Sequence, residues 1–316
     1  MKTLLSLFGW KEASIDDYRQ CYSMYGGGLA THPVVLDFIH KHFKCDEKYY
    51  VQKDSNGLLT AAICIWGERF LANDPCTPLS KYIRIAIPND ELIIPASPEA
   101  KFVLPIKSKF ISPLNRKNLI NSTYIFNANR RVCIAKELGN GGISTKSQKK
   151  YKDRLKRFLK IGGKVVDCES FNPREIANIY FSLTEKRWGS CCVDEALTQE
   201  LFELIQPLIW GNILFYKDEA CAFHFITKTC TFEHTIFEFI QAGMDTSDEL
   251  QKHSIGSLLI WSNIERAYSQ YENARYSFGC PSREYKLRWC NLQPIWQNIE
   301  SVKLKRSIPV DCKIIA

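Results

Sequence analysis

The stretch Gln251-Lys252-His253-Ser254-Ile255-Gly256-Ser257 carries the most pointed chemistry in the chain. It lies between an apolar strand-like run ending near Ala242 and a helical run through Leu258, Leu259, Trp261, Ile264, Ala267 and Tyr268. A strand that passes through small residues into a helix leaves first-turn N–H groups pointing outward. Their partial positive charge can hold a phosphate or pyrophosphate. Ser254 also fits an ordinary N-cap, so spacing alone leaves both readings open. Asp245 and His253 flank this turn, and the dipole near a helix start disfavours a charged imidazole, which suits His253 to a neutral base. Both also read as solvated loop residues.

Other site chemistries find no support in the spacing. Thirteen Cys occur without a Cys-x-x-Cys pair, which reads as buried free thiols in a reducing compartment. His32, His40 and His42 form no metal motif, since positions two apart cannot share a helix face. Neither a Gly-x-Ser-x-Gly elbow nor a phosphate-cradling Walker loop is present.

The elements that must position these residues follow from length and pattern. A chain of 316 residues with 45% apolar, 12% aromatic and 24% charged residues is globular and too long for one small domain. Ser14 with Asp17 reads as a capped helix that stops at Gly26-Gly27-Gly28, and Thr31 to Pro33 opens a second helix. Tyr49 to Val51, the turn at Asn56-Gly57, and Leu58 to Trp66 then make a hairpin. The same order recurs later. Asn172-Pro173 opens a helix that closes near Trp188-Gly189, Leu197 to Ile209 reads as a second helix, and Ile213 to Tyr216 with Ala220 to Thr227 reads as a hairpin turning at Asp218-Glu219. This weak internal repeat places two units at residues 1–142 and 143–316, with Gly139-Asn140-Gly141-Gly142 as the linker. Within the first unit, after its hairpin, a Pro-rich stretch carries short β-like runs at Tyr82 to Ile87 and Leu92 to Ile94. A third strand at Thr235 to Ala242 and another at Ala274 to Phe278 flank the long helix. The fold class is α/β (α+β), each unit a mixed twisted sheet with flanking helices.

The net charge of +8 has one source: nine Lys or Arg against one Asp between Lys146 and Lys164. Tyr151, Leu155, Phe158 and Leu159 form an apolar stripe on a helix whose other sides carry Lys149, Lys150, Lys152, Arg154, Lys156, Arg157 and Lys160. Such a helix packs one face and offers the rest to anionic lipid, a polyanionic donor or nucleic-acid phosphate. DNA ranks last because no helix-turn-helix pair is evident. The start lacks a secretory signal, and the run Leu204 to Tyr216 is too short to span a bilayer, so a cytoplasmic protein, or one peripheral on the inner face of the inner membrane, is expected.

The order strand, Gln-x-x-Ser-x-Gly, helix, strand and Tyr285-Lys286-Leu287-Arg288-Trp289 resembles the GNAT acyltransferase superfamily, in particular its FemAB and CelD-like branch, whose members carry two such folds in tandem. The resemblance implies that Gln251, Ser254, Ile255, Gly256 and Ser257 bind the donor, with Ser254 standing where the family's first Gly stands. It implies acyl-coenzyme A or aminoacyl-tRNA as donor and a Lys near the reacting groups. Such transfer needs a base, an acid and donors facing the developing oxyanion, for which Asp245, His253, Glu284, Tyr285 and Lys286 are candidates, and Glu233 and His234 border the same strand. Over most of its length the chain is similar to a bacterial virulence family, the macrophage-induced proteins that promote resistance to antimicrobial peptides. Phe8-Gly9-Trp10-Lys11-Glu12, Tyr25-Gly26-Gly27-Gly28, Thr31-His32-Pro33, Trp66-Gly67 and Glu185-Lys186-Arg187-Trp188-Gly189 carry that likeness. It implies an envelope-related acceptor. A non-catalytic protein that holds a membrane through its basic helix, or a DNA-binding regulator, are the competing expectations.

Overall fold

The protein is described by a computed structural model that covers residues 2–67, 69–124, 130–139 and 141–298. Asn140 of the expected linker and residues 299–316 of the second expected unit lie outside the described residues. After α1 (Lys2–Leu7) and β1 (Lys11–Ala13) comes α2 (Ile15–Tyr25), opened by a reciprocal cap in which Ser14 Oγ accepts from the Asp17 N–H while Asp17 Oδ2 accepts from the Ser14 N–H. In α3 (Pro33–His42) the proline takes the first position, where its missing N–H costs nothing, and the His32 ring accepts from the Val34 N–H. The hairpin β2 (Glu47–Lys53) and β3 (Leu59–Trp66), with β4 (Phe70–Leu71), completes a sheet ordered β1-β2-β3-β4. Tyr82 to Ile87 and Leu92 to Ile94 form no strand; a single bridge, Leu92 to Ile111, is what remains there. Prolines at 88, 95, 98, 105 and 113 remove the ladder donors that strands would need.

After β5 (Ser122–Tyr124), β6 (Arg131–Ala135) leaves the first half and becomes a strand of the larger sheet. The second half continues with α4 (Thr145–Lys160), β7 (Gly163–Asp167), α5 (Pro173–Trp188) and α6 (Glu195–Ile205). A capping box from Asn172 and Glu175 starts α5, and Gly189 at φ 79° ends it, a left-handed conformation that glycine adopts without cost. The α6 helix stops at Ile205 rather than Ile209, because Pro207 cannot donate and a 3-10 turn takes over. Next come β8 (Ile209–Trp210), β9 (Asn212–Tyr216), β10 (Glu219–Cys230) and β11 (Thr235–Met244). The short α7 (Asp248–Gln251) leads into α8 (Ile255–Gln270), followed by β12 (Ala274–Ser277), α9 (Glu284–Trp289), β13 (Cys290–Pro294) and β14 (Trp296–Asn298). The larger sheet runs β13-β6-β12-β11-β10-β9-β7, with β8 beside β10. Its one parallel pair, β11 with β12, is joined by α8, the crossover that parallel strands require.

One apolar core runs through both halves. Tyr18, Phe38 and Ile39 of the first share it with Tyr180, Phe202, Phe223 and Phe225 of the second, while Trp210, Phe237, Trp261 and Tyr276 fill the α8 face of the sheet. The halves touch backbone to backbone at the triple glycine. Gly27 N–H donates to the Cys230 carbonyl at 2.9 Å, and a Cβ on Gly26 would lie 1.7 Å from that same oxygen. Beside this contact Glu238 accepts from the Leu29 N–H at 2.6 Å, and Arg275 forms a buried two-pronged bond with Glu91 at 2.7 and 2.9 Å, Ser112 Oγ donating to the same carboxylate at 2.7 Å. Burial raises the Glu238 carboxyl to about 7, and the nearby Glu91 charge adds to the shift while the Leu29 N–H opposes it.

Candidate functional site

The parallel ladder between β11 and β12 ends at Glu238 and Ser277. Beyond it β11 continues to Met244, with a bulge at Ile240 where the register against β10 shifts, while the other chain turns away at Gly279, φ 68°. Two strands that part company leave a wedge, and the bulge re-aims the side chains along it. On the α8 face the wedge opens into a cavity of about 380 Å³, and on the α5 face into one of about 490 Å³. Trp188, Ala242 and Tyr285 line both, so the two cavities meet at these residues. The indole of Trp188 is pinned there by its Nε1–H, which donates to the Ala242 carbonyl at 2.8 Å.

Gln251, Ser254, Ile255, Gly256 and Ser257 all line the α8-side cavity. Ser254 has φ 53° and ψ 44°, and its side chain makes no cap hydrogen bond, so the ordinary N-cap expected as one reading is not what the residue forms. This left-handed residue kinks the chain so that a 16-residue helix begins at the cavity wall. A Cβ on Gly256 would approach the Met244 sulfur to 3.0 Å, so glycine keeps this corner open. First-turn N–H groups, a dipole end and an open corner together suit an anionic group such as a phosphate.

The remaining candidates are spread more widely. Tyr285 stands at the junction of the cavities; burial raises its hydroxyl above the ordinary value, while Arg187 and Arg283 pull the other way. Lys286 lines the α5-side cavity and is 8% exposed, its Nζ donating to the carbonyls of Phe278 at 2.6 Å and Cys280 at 3.0 Å. Glu284, exposed at the start of α9, lines neither cavity. Asp245 accepts from the Ser247 N–H at 2.8 Å and pairs with Lys186 at 3.1 Å, contacts that keep its carboxyl below the usual range, and His253 packs its ring 6.5 Å from that of Phe158; neither lines either of these two cavities. His234 lines a separate cavity near Arg275.

The basic helix α4 places Tyr151 in the α8-side cavity, stacked on Trp261 at 5.7 Å and tilted against Trp289 at 4.8 Å. Phe158 is fully buried and Leu155 half-buried, but Leu159 of the expected stripe is 44% exposed, because the helix sits on a narrow seam beside β7. Lys152 pairs with Glu265 at 3.2 Å, while Lys149, Lys150, Lys156, Arg157 and Lys160 are exposed and Arg154 lies near the Tyr151 ring.

Several cavity residues escape sequence reasoning. His224 in β10 is 3% exposed, lines the α8-side cavity, and has Nδ1 without a hydrogen-bond partner among the described residues. Burial lowers its imidazole to about 3, so the ring is neutral. The signal for it is one polar residue inside the apolar run Ala220 to Ile226. Thr184 Oγ1 is likewise buried and unpartnered on the α5 side, and Asp90 reaches the same cavity from the first half. Asp90 Oδ2 occupies the space where a Cβ on Gly279 would stand, at 1.9 Å, so glycine there makes room for the carboxylate. Nothing local marks Asp90, since it arrives from a Pro-rich loop almost two hundred residues before Gly279 in the chain. Among the described residues no cluster of His, Cys, Asp and Glu could hold a metal ion.

A wedge between parallel strands, a bulged central strand and a crossover helix starting at the wedge define a FemX-like member of the GNAT fold class. Two solved structures share the architecture: FemX, 7% identical with a TM-score of 0.56, covering 92% of this chain and 97% of that one, and L-PGS from Bacillus licheniformis, 13% identical with a TM-score of 0.50, covering 93% and 94%. A search of curated proteins gives no match. The chain belongs to the Mig-14 family, whose profile matches residues 32–298. No helix among the described residues is long and apolar enough to cross a membrane.

Proposed function

We propose that the protein is an acyl or aminoacyl transferase that holds its donor in the α8-side cavity and an envelope-related amine or hydroxyl acceptor in the α5-side cavity. The observation that carries this reading is the meeting of the two cavities at Trp188, Ala242 and Tyr285, directly below the open start of α8. A phosphate of the donor lies on the Ile255 and Gly256 N–H groups, and its reactive carbonyl reaches the junction. Tyr285, a neutral phenol, supplies a proton to the leaving group. Lys286 spends two of its three donors on backbone carbonyls, and the third is available to the charge that develops during transfer. Asp90 is the carboxylate of the acceptor cavity that can take the nucleophile's proton. His253, Asp245 and Glu284 have no part in this scheme. The resemblance of the 251–257 turn and the 285–289 motif to the FemAB branch supports acyl-coenzyme A or aminoacyl-tRNA as donor, and the exposed Lys and Arg of α4, beside Tyr151 at the cavity, suit a polyanionic donor.

The test is a thermal-shift titration with acetyl- and longer acyl-coenzyme A and with charged tRNA. A ligand bound by the folded state alone raises the melting temperature with concentration. The expected result is a saturable shift with one donor class, lost in Gly256→Glu. No shift with either class, together with full biological activity of Lys286→Ala, refutes the reading.

A second reading rests on Leu159 and Ile161, exposed at 44% and 41% beside Lys156, Arg157 and Lys160. Apolar side chains ringed by cations suit an anionic bilayer surface. Replacing Lys156, Arg157 and Lys160 by Glu then abolishes sedimentation with anionic vesicles, and unchanged sedimentation refutes it.

A further inference from the structure

The α8-side cavity has two zones of different chemistry. Gln251 and Arg288 are exposed and Arg187 is half-buried, so its opening, beside the positive start of α8, is cationic. Its buried wall consists of His224, Ile255, Ile260 and Trp289, and among the described residues no Asp or Glu lines any part of the cavity. Of those four, His224 is the one with a buried side-chain polar atom left without a hydrogen bond, Nδ1. Strand register fixes where this ring stands. Across β10 and β11, His224 pairs with Ala242 and Ala222 with Met244. Paired residues of an antiparallel ladder share a face, so the imidazole lies on the face of Ala242 and Met244, which line the same cavity. The ring packs edge-on against Phe239, centroids 4.8 Å apart, which holds its orientation. Burial keeps it uncharged. A polar atom that has given up water without gaining a bond is a cost that a suitable ligand group removes.

We infer that His224 determines the specificity for the transferred group by hydrogen-bonding a hydroxyl carried on the acyl chain close to its reactive carbonyl. The position follows from Ala242, which lies opposite His224 in the ladder and at the meeting point of the two cavities. The choice of a hydroxyl follows from the chemistry of a neutral imidazole, which has one N–H and one lone pair. A hydroxyl both donates and accepts, so it satisfies either nitrogen. A plain alkyl chain leaves the nitrogen unpaired. An ammonium group at the buried wall would share the cavity with Arg187 and Arg288 and meet no carboxylate, and a carboxylate there would lose its water to an uncharged ring. Charge on the donor is accommodated at the cationic opening, and the part that reaches the buried wall is uncharged. This inference rests on the transferase reading, because it names a part of that reading's donor.

The experiment compares donors that differ by one oxygen. Full-length protein is titrated calorimetrically with 3-hydroxybutyryl- against butyryl-coenzyme A, and with one tRNA charged with serine against the same tRNA charged with alanine. In both pairs the hydroxyl stands on the second carbon from the carbonyl. Wild type, His224→Phe, His224→Gln and the exposed control Arg174→Gln are compared. The expected result, for the donor class that binds, is a preference of about tenfold or more for the hydroxylated member in wild type and in Arg174→Gln. The preference disappears in His224→Phe and is largely kept in His224→Gln, whose amide supplies a hydrogen-bonding group again. Since the readout is a ratio measured on one protein, a general loss of stability in His224→Phe does not imitate it. Equal binding of both members by wild type, or a preference that survives in His224→Phe, overturns the inference and leaves the transferase reading in place. Binding of neither pair refutes the transferase reading and the inference with it.

Discussion

Glu238 supplies the sharpest test of how the two halves are joined. Its carboxyl is 3% exposed, bonded to the Leu29 N–H at 2.6 Å, and raised to about 7 chiefly by burial. Ionising it in the folded protein costs roughly 3 kcal/mol more than ionising it in the unfolded chain, where it titrates near 4.5. The sign follows from which state releases the proton first. Below pH 4.5 both states are protonated and the stability is complete. As pH rises the unfolded chain ionises first, so stability falls until the folded carboxyl also ionises near pH 7, and it is flat above that. Glu238→Gln keeps an oxygen for the Leu29 N–H and cannot ionise. Its stability relative to wild type therefore increases by roughly 2–3 kcal/mol between pH 5 and pH 8. Urea unfolding of both proteins at pH 5, 6, 7 and 8 measures this difference directly. A difference that does not vary with pH refutes the argument, because the carboxyl would then titrate alike in both states.

His224 has the opposite dependence. The unfolded chain takes up its proton near pH 6.5 while the folded ring stays neutral to about 3, so wild type loses stability as pH falls through that window. His224→Phe abolishes roughly 2–3 kcal/mol of that loss between pH 7 and pH 4.5, measured by urea unfolding at the two values. Gly26→Ala forces a methyl group onto the Cys230 carbonyl and lowers stability by about 3 kcal/mol or more, read as a lowered melting temperature. Lys286→Met retains most of the side-chain volume but removes the ammonium. Transfer measured with the donor that binds falls about a hundredfold, and stability, measured separately by urea unfolding, falls by about 2 kcal/mol or more for the two carbonyls left without a donor.

The sequence by itself determined the local elements and one wall of the site. Ser14 with Asp17 and Asn172 with Glu175 carry their caps within four residues, and the turn from Gln251 to Ser257 brings small residues and a helix start together within seven. Such features depend on neighbours in the chain, so type and spacing suffice to read them. The tandem order of helix, helix and hairpin is legible for the same reason. The seam of α4 is read less well, since Leu155 and Phe158 pack but Leu159 does not, and only the shape of the surface beneath a helix decides how wide its buried face is.

Tertiary structure alone decided the rest. It brought Asp90 to Gly279 and Glu91 to Arg275 from opposite halves, and it set Arg187 and Arg283 on one indole although nearly a hundred residues separate them. It also placed Asp245 and His253 outside both cavities although they flank the turn in sequence, because Asp245 is drawn to Lys186 and His253 toward Phe158. His224 is exceptional only because it is buried with an unpartnered nitrogen beside a cavity, a property of its surroundings that its place in an apolar strand merely hints at. Local free-energy terms act over a few residues and leave their record in spacing. Cavities, buried charges and close backbone contacts arise where distant segments exclude water together, and no pattern within one segment records which segment it will meet.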